Sequence, residues 1–131
     1  MDTEDRARLL DRFTAAWSAK DLDALMALMA EDCSFRASLG PEPGATFAGC
    51  AEVRRGFALF LGPDNGDPPP ETETEESLIS GDFAVTRWTS RYPQPAGPPI
   101  VVRACDILGF EGDRIKFKDT YRKAPGELPN G

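Results

Sequence analysis

From Glu71 to Lys123 the chain runs through one β-rich segment after another, interrupted only by turn chemistry, and this succession constrains the fold more than anything else in the sequence. The segments are "ETETEESLIS", "DFAVTRWTSRY", "PIVVRACDILGF" and "RIKFKDTYRK", separated by Gly81-Asp82, by the proline-rich "PQPAGPP" and by Glu111-Gly112-Asp113. Strands joined at such intervals pair in succession, which predicts an antiparallel meander. Its last two members set a carboxylate, Asp106, among Ala104, Cys105, Ile107 and Leu108. A charge taken out of water without a partner is so costly that it neutralises or finds a counter-charge. Asp106 therefore belongs either to a structural network or to a working pocket.

The first half has a different period. Leu9, Leu10, Phe13, Ala16 and Trp17 fall on one face of a helix from Thr3 to Ser18, with Asp2 or Thr3 as its N-cap. In "DLDALMALMAED", Asp21 can cap a second helix that buries Leu22, Leu25, Met26, Leu28 and Met29. "CSFRAS", Cys33 to Ser38, alternates as a first strand, and "LGPEPGATFAG" after it is turn chemistry. "CAEVRRGFALFLG" predicts a third helix with Val53, Phe57 and Phe60 or Leu61 on its inner face, followed by a mobile loop, "PDNGDPPP". Helices followed by consecutive strands give an α+β domain, in which a curved, mostly antiparallel sheet lays its concave face over three N-terminal helices. The cleft between the two layers is the expected pocket. One domain is expected over residues 1–123, with a fraying tail at 124–131.

Composition narrows the chemistry. The chain has no histidine, which removes Ser-His-Asp and Cys-His catalysis and histidine-based metal sites, so no metal and no cofactor is expected. Cys33, Cys50 and Cys105 lack zinc spacing and read as small buried hydrophobes. A formal charge of −7 works against a nucleic-acid partner. No apolar run approaches the roughly 20 residues of a membrane span. The acidic start "MDTEDRARLL" has no secretory h-region, so the expected location is the cytoplasm.

The segments "FTAAWSAKDLDALMALMAEDCSF", "FAGCAEVRRGF" and "CDILGFEGDRI" resemble the SnoaL-like, or nuclear transport factor 2-like, superfamily of cone-shaped, cystatin-like α+β domains. The superfamily includes polyketide cyclases, ketosteroid isomerase and limonene epoxide hydrolase. The resemblance implies the cone-shaped fold, a small-molecule pocket and a homodimer through the convex face of the sheet. It sets Asp106, four residues before Phe110, where the isomerase places an oxyanion-hole acid. The isomerase's tyrosine falls on Phe13 and its general base on Ala37. The epoxide hydrolase's arginine falls on Arg87, but its acids fall on Thr89 and Thr120. Lys118 stands where many SnoaL-like domains carry a histidine. At the isomerase's base position the resemblance thus leaves a side chain that cannot take a proton, and histidine-assisted proton transfer is not available in its usual form.

Period-two alternation puts Phe83, Val85, Arg87 and Thr89 on one face of their strand, and Ala104, Asp106, Leu108 and Phe110 on one face of theirs. Taken as concave faces, they bring Arg87 and Asp106 into one cleft. Lys118 and Thr120 join them, Phe13, Trp17 and Phe35 wall the pocket, and Ile115, Phe117, Asp119 and Tyr121 point to the convex side. Trp88 is then expected on the dimer surface, and Asp119 paired with Arg103 or solvated. The acids of "ETETEE" read as a solvated strand face. Two readings follow. One is an enzyme of cyclase or isomerase type acting on a small hydrophobic carbonyl or polyketide-like molecule, with Asp106 as acid and Arg87 as its oxyanion partner. The other is a non-catalytic ligand-binding or homodimeric assembly domain.

Overall fold

A computed structural model describes residues 2–63 and 66–130. Asp64 and Asn65, within the loop expected to be mobile, and Gly131 of the tail lie outside the described residues. The helices are α1 (Thr3–Ser18), α2 (Leu22–Ala27) and α3 (Cys50–Leu61). The strands are β1 (Met29–Arg36), β2 (Thr46–Ala48), β3 (Glu71–Thr74), β4 (Leu78–Ser80), β5 (Phe83–Tyr92), β6 (Ile100–Glu111) and β7 (Arg114–Arg122). They form one curved, open sheet in the order β2-β1-β7-β6-β5-β3, with β4 also on β5. Every pairing is antiparallel except β1 with β7.

Local chemistry starts the helices where the sequence predicts. Asp2 accepts from the Asp5 amide and Asp5 reaches back to the Asp2 amide, a reciprocal capping box worth about 1 kcal/mol. Asp21 caps α2 through the Ala24 amide. The helices lay Leu9, Phe13, Leu25, Val53 and Phe57 on Phe35, Leu108, Phe110 and Ile115 of the sheet. Four rings of this core, Phe13, Trp17, Phe35 and Phe57, touch at centroid distances of 5.0 to 6.0 Å. Such pairs contribute about 1 kcal/mol each beyond area burial.

Several expectations are corrected. Helix two ends at Ala27, and Met29 begins β1, because the Ile115 amide bonds to the Leu28 carbonyl at 2.9 Å and Met29 pairs with Ile115. Sheet pairing overrides helical periodicity there. Within the stretch read as turn, Thr46–Ala48 forms β2 on the edge of β1. "ETETEESLIS" is two strands, broken where the Glu75 amide bonds to the Arg87 carbonyl.

Two corrections concern facing. Ile115 is fully buried rather than convex, because between the pairs Gly109–Phe117 and Phe110–Ile115 strand β7 advances two residues while β6 advances one. The extra residue, Lys116, turns out to solvent and the phase of β7 flips. On β5 the concave residues are Ala84, Thr86, Trp88 and Ser90, since Thr86 lies directly opposite Asp106. A one-residue difference in phase moves every side chain of a strand to the other face.

Candidate functional site

The cavity lies between the concave sheet and helices α1 and α3, with a volume of about 560 Å³, inside the range of small-molecule sites. Phe13 and Trp17 of α1 and Phe35 of β1 form one wall. Trp88 and Tyr92 of β5 form another, and Pro68 to Pro70 stand at the rim.

Its floor is polar and ordered. Lys118 and Thr120 alternate inward on β7, and the β6–β7 register sets Thr120 opposite Asp106. The Lys118 ammonium donates to Thr120 Oγ1 at 2.7 Å, and Thr120 donates to Asp106 Oδ1 at 2.7 Å. Lys118 Nζ is also 3.1 Å from that same carboxylate oxygen, so the cluster closes on itself as a buried ion pair bridged by a hydroxyl. Asp106, Lys118 and Thr120 are 8%, 5% and 8% exposed.

Two ring faces hold the cation, Trp17 of α1 at 4.9 Å and Phe35 of β1 at 5.0 Å from Nζ. Each such contact is worth about 1 kcal/mol or more when water is excluded. The register explains the second of them, because Phe35 is the direct parallel partner of Lys118. Around this centre, Thr86 shares a short hydrogen bond with Ser77 and Ser90 one with Thr72.

Asp106, Lys118, Thr120, Trp17, Phe13 and Phe35 thus meet at one site. Arg87 does not join them. It stands on the outer face opposite Cys105, with its side chain 70% exposed and bonded to Glu75 at 2.6 Å. The counter-charge of Asp106 is Lys118. Trp88, expected on the dimer surface, lines the cavity together with Thr86 and Ser90. The signal that finds all three is their register against Asp106. Asp119 pairs with Arg36 at 3.9 Å rather than with Arg103, because β1 and not β6 supplies its cation.

Of the cysteines, Cys33 is fully buried, and Cys50 and Cys105 are half-buried. Burial, with Cys50 beside it, pushes the Cys33 thiol up to about 12. Burial also raises Cys105. None of the three lines the cavity. Among the described residues no cluster of histidine, cysteine or carboxylate side chains could hold a metal ion, and no helix is long and apolar enough to cross a membrane.

The model of the SnoaL-like domain family matches residues 10–117. No curated protein matches the chain. Among solved structures, the chain is similar to an NTF2-like protein of unknown function from Mesorhizobium loti, at 24% identity and a TM-score of 0.75 over 93% of both chains. It is similar to an NTF2-like protein of unknown function from Burkholderia xenovorans, at 18% identity and a TM-score of 0.70 over 96% of this chain and 88% of that one. A protein with a ketosteroid isomerase-like fold from Catenulispora acidiphila, in complex with trimethylamine, matches at 20% identity and a TM-score of 0.67, over 86% of this chain and 83% of that one. These structural likenesses speak to the fold alone.

Proposed function

The chain belongs to the SnoaL-like domain family, and from that premise we propose that its cavity binds a small, mainly apolar molecule bearing one carbonyl group, whose oxygen is set against the Lys118–Thr120–Asp106 floor. The observation that carries this reading is the buried ion pair in an aromatic cavity. For packing alone, apolar residues of the same volume would serve as well or better, because desolvating two charges costs several kcal/mol per ion (order of magnitude). A cation and an acid kept there suit a ligand with a polar end. The Catenulispora protein was obtained with a small organic molecule bound, which supports ligand binding on this frame.

Arg87 has no part in the site, so Lys118 takes the role of the cation that polarises the carbonyl. Proton handling falls to Asp106, the carboxylate on the floor, because the resemblance sets Phe13 and Ala37 at the positions of the isomerase's tyrosine and base. The test compares benzylacetone with butylbenzene, which has a similar shape and no carbonyl. Benzylacetone should raise Tm more, and Lys118→Met should remove the difference. Tm unmoved by either compound would overturn the reading.

A second reading rests on the convex face. Phe83, Val85 and Tyr121 there are 56%, 36% and 55% exposed, and Leu78, opposite Val85, is 73% exposed. We propose that a second copy of the chain covers this apolar strip, as large exposed apolar patches mark contact surfaces. Sedimentation velocity should show a dimer that Val85→Lys dissociates; a wild-type monomer at micromolar concentration would remove the idea.

A further inference from the structure

We propose that Lys118 is a covalent carbonyl-capturing amine, whose Nζ forms an iminium bond with an apolar ketone or aldehyde entering the cavity. This rests on the reading that the cavity takes a carbonyl compound, and adds a bond that binding alone does not require. Of the four lysines in the chain, Lys116 and Lys123 are exposed away from the cavity, Lys20 lines the cavity but is exposed to solvent, and Lys118 lines it while only 5% exposed. A ligand in the cavity therefore meets this amine under water-poor conditions.

The neighbours of Nζ supply what the reaction needs. The ammonium passes a proton to Asp106, directly across 3.1 Å or through the Thr120 hydroxyl, and the freed nitrogen pair attacks the carbonyl carbon. The C=O π electrons move to oxygen, which takes a proton from the new nitrogen centre to give a carbinolamine. Asp106 then returns its proton to that hydroxyl, water leaves, and the nitrogen pair closes the C=N bond. In sum, ammonium plus carbonyl gives iminium plus water, with no net change in protons or charge.

That balance is what the surroundings favour. The positive charge sits at the same point before and after, so the Asp106 carboxylate and the ring faces of Trp17 and Phe35 hold the iminium as they held the ammonium. The exposed Lys116 also has a carboxylate at contact, Glu111 at 2.9 Å, but it stands in solvent and lacks the dry aromatic walls that enclose Lys118.

The experiment treats the full chain with benzylacetone and sodium cyanoborohydride, followed by intact mass and peptide mapping. The expected product gains the mass of benzylacetone less one oxygen, on Lys118 in large excess over Lys20, Lys116 and Lys123. Lys118→Arg, which keeps a cation, should give no adduct in that peptide, and Asp106→Asn should slow capture by roughly 10²-fold. Absence of the Lys118 adduct, or labelling spread evenly over the exposed lysines, overturns the proposal, and this wild-type measurement stands even where a variant fails to fold. If benzylacetone raises Tm and leaves no adduct, covalent capture falls while the binding reading survives. If it does neither, both fall.

Discussion

Lys118 and Asp106 meet diagonally across the β6–β7 ladder, Nζ to Oδ1 at 3.1 Å, each fixed by the hydroxyl of Thr120. A diagonal pair on one sheet face is within reach of a long side chain. Burial makes the pair asymmetric in its consequences. Removing one partner strands the other charge, whereas removing both leaves little to satisfy. Lys118→Met is expected to destabilise the fold by about 3 kcal/mol, and Lys118→Met with Asp106→Leu to recover most of that. Urea midpoints of the two single variants and the double variant check the sign of the coupling; a double variant as unstable as the sum of the singles would contradict it.

Gly56 of α3 lets the helix sit directly on the aromatic wall. A Cβ there would meet the Phe47 ring at 2.7 Å and Phe35 Cδ2 at 3.0 Å. Phe35 cannot yield cheaply, being stacked on Phe47 and in edge contact with Phe57 and Phe60. Gly56→Ala would gain up to about 1 kcal/mol of helix propensity, against roughly 1–3 kcal/mol for overpacking. A net loss of stability is expected in urea unfolding, together with weaker ligand binding, since the displaced Phe35 ring is one of the two under the Lys118 ammonium.

The site was legible where adjacent strands share a tight turn. Asp106, Lys118 and Thr120 lie on β6 and β7, and alternation along β6 and along β7 beyond the extra residue Lys116 is enough to bring them together, with Phe13, Trp17 and Phe35 placed by helical and strand period. Arg87 and Trp88 take faces opposite to those expected because both faces of β5 mix polar and apolar side chains, so period two gives the alternation but not its phase. The burial of Ile115 depends on the step beside Gly109, and the Phe35–Lys118 contact depends on β1 running parallel to β7. Neither leaves a local signal: one is a pairing irregularity, the other a contact between opposite ends of the chain. The early end of α2 has the same origin, a pairing partner more than eighty residues away in Ile115.

Cys33 predicts an alkaline limit to stability. Its thiol, at 9.0 in an ordinary setting, is pushed up to about 12 by burial and by neighbouring Cys50. Between these values the unfolded chain loses the proton and the folded chain keeps it, so the folded state binds more protons and stability falls as pH rises. The contribution is fully present below 9.0 and is lost at up to about 1.4 kcal/mol per pH unit through that window. Urea midpoints of wild type should therefore fall more steeply above 9.0 than those of Cys33→Ala, which lacks this thiol. Parallel slopes would contradict the shift.

The two tryptophans give the cavity a built-in reporter, because Trp17 and Trp88 are the only ones in the chain and both line it. Their positions make different demands on the fold. Trp17 follows from the face of α1 that also carries Phe13, whereas Trp88 faces inward only because Thr86 lies opposite Asp106. Butylbenzene entering the cavity would displace water from both indoles and move their emission to shorter wavelength, saturating with one site. In Trp17→Phe the remaining signal comes from Trp88 alone. If Trp88 lay on the outer face with Arg87, that signal would be indifferent to the ligand. Inside the cavity it should retain a saturable shift with an affinity within about a few-fold of wild type, since the indole's cation–π attraction for Lys118 is worth about 1 kcal/mol and a phenylalanine ring restores part of it. A titration of this variant therefore tests the phase of β5, and with it the whole polar floor that the phase positions.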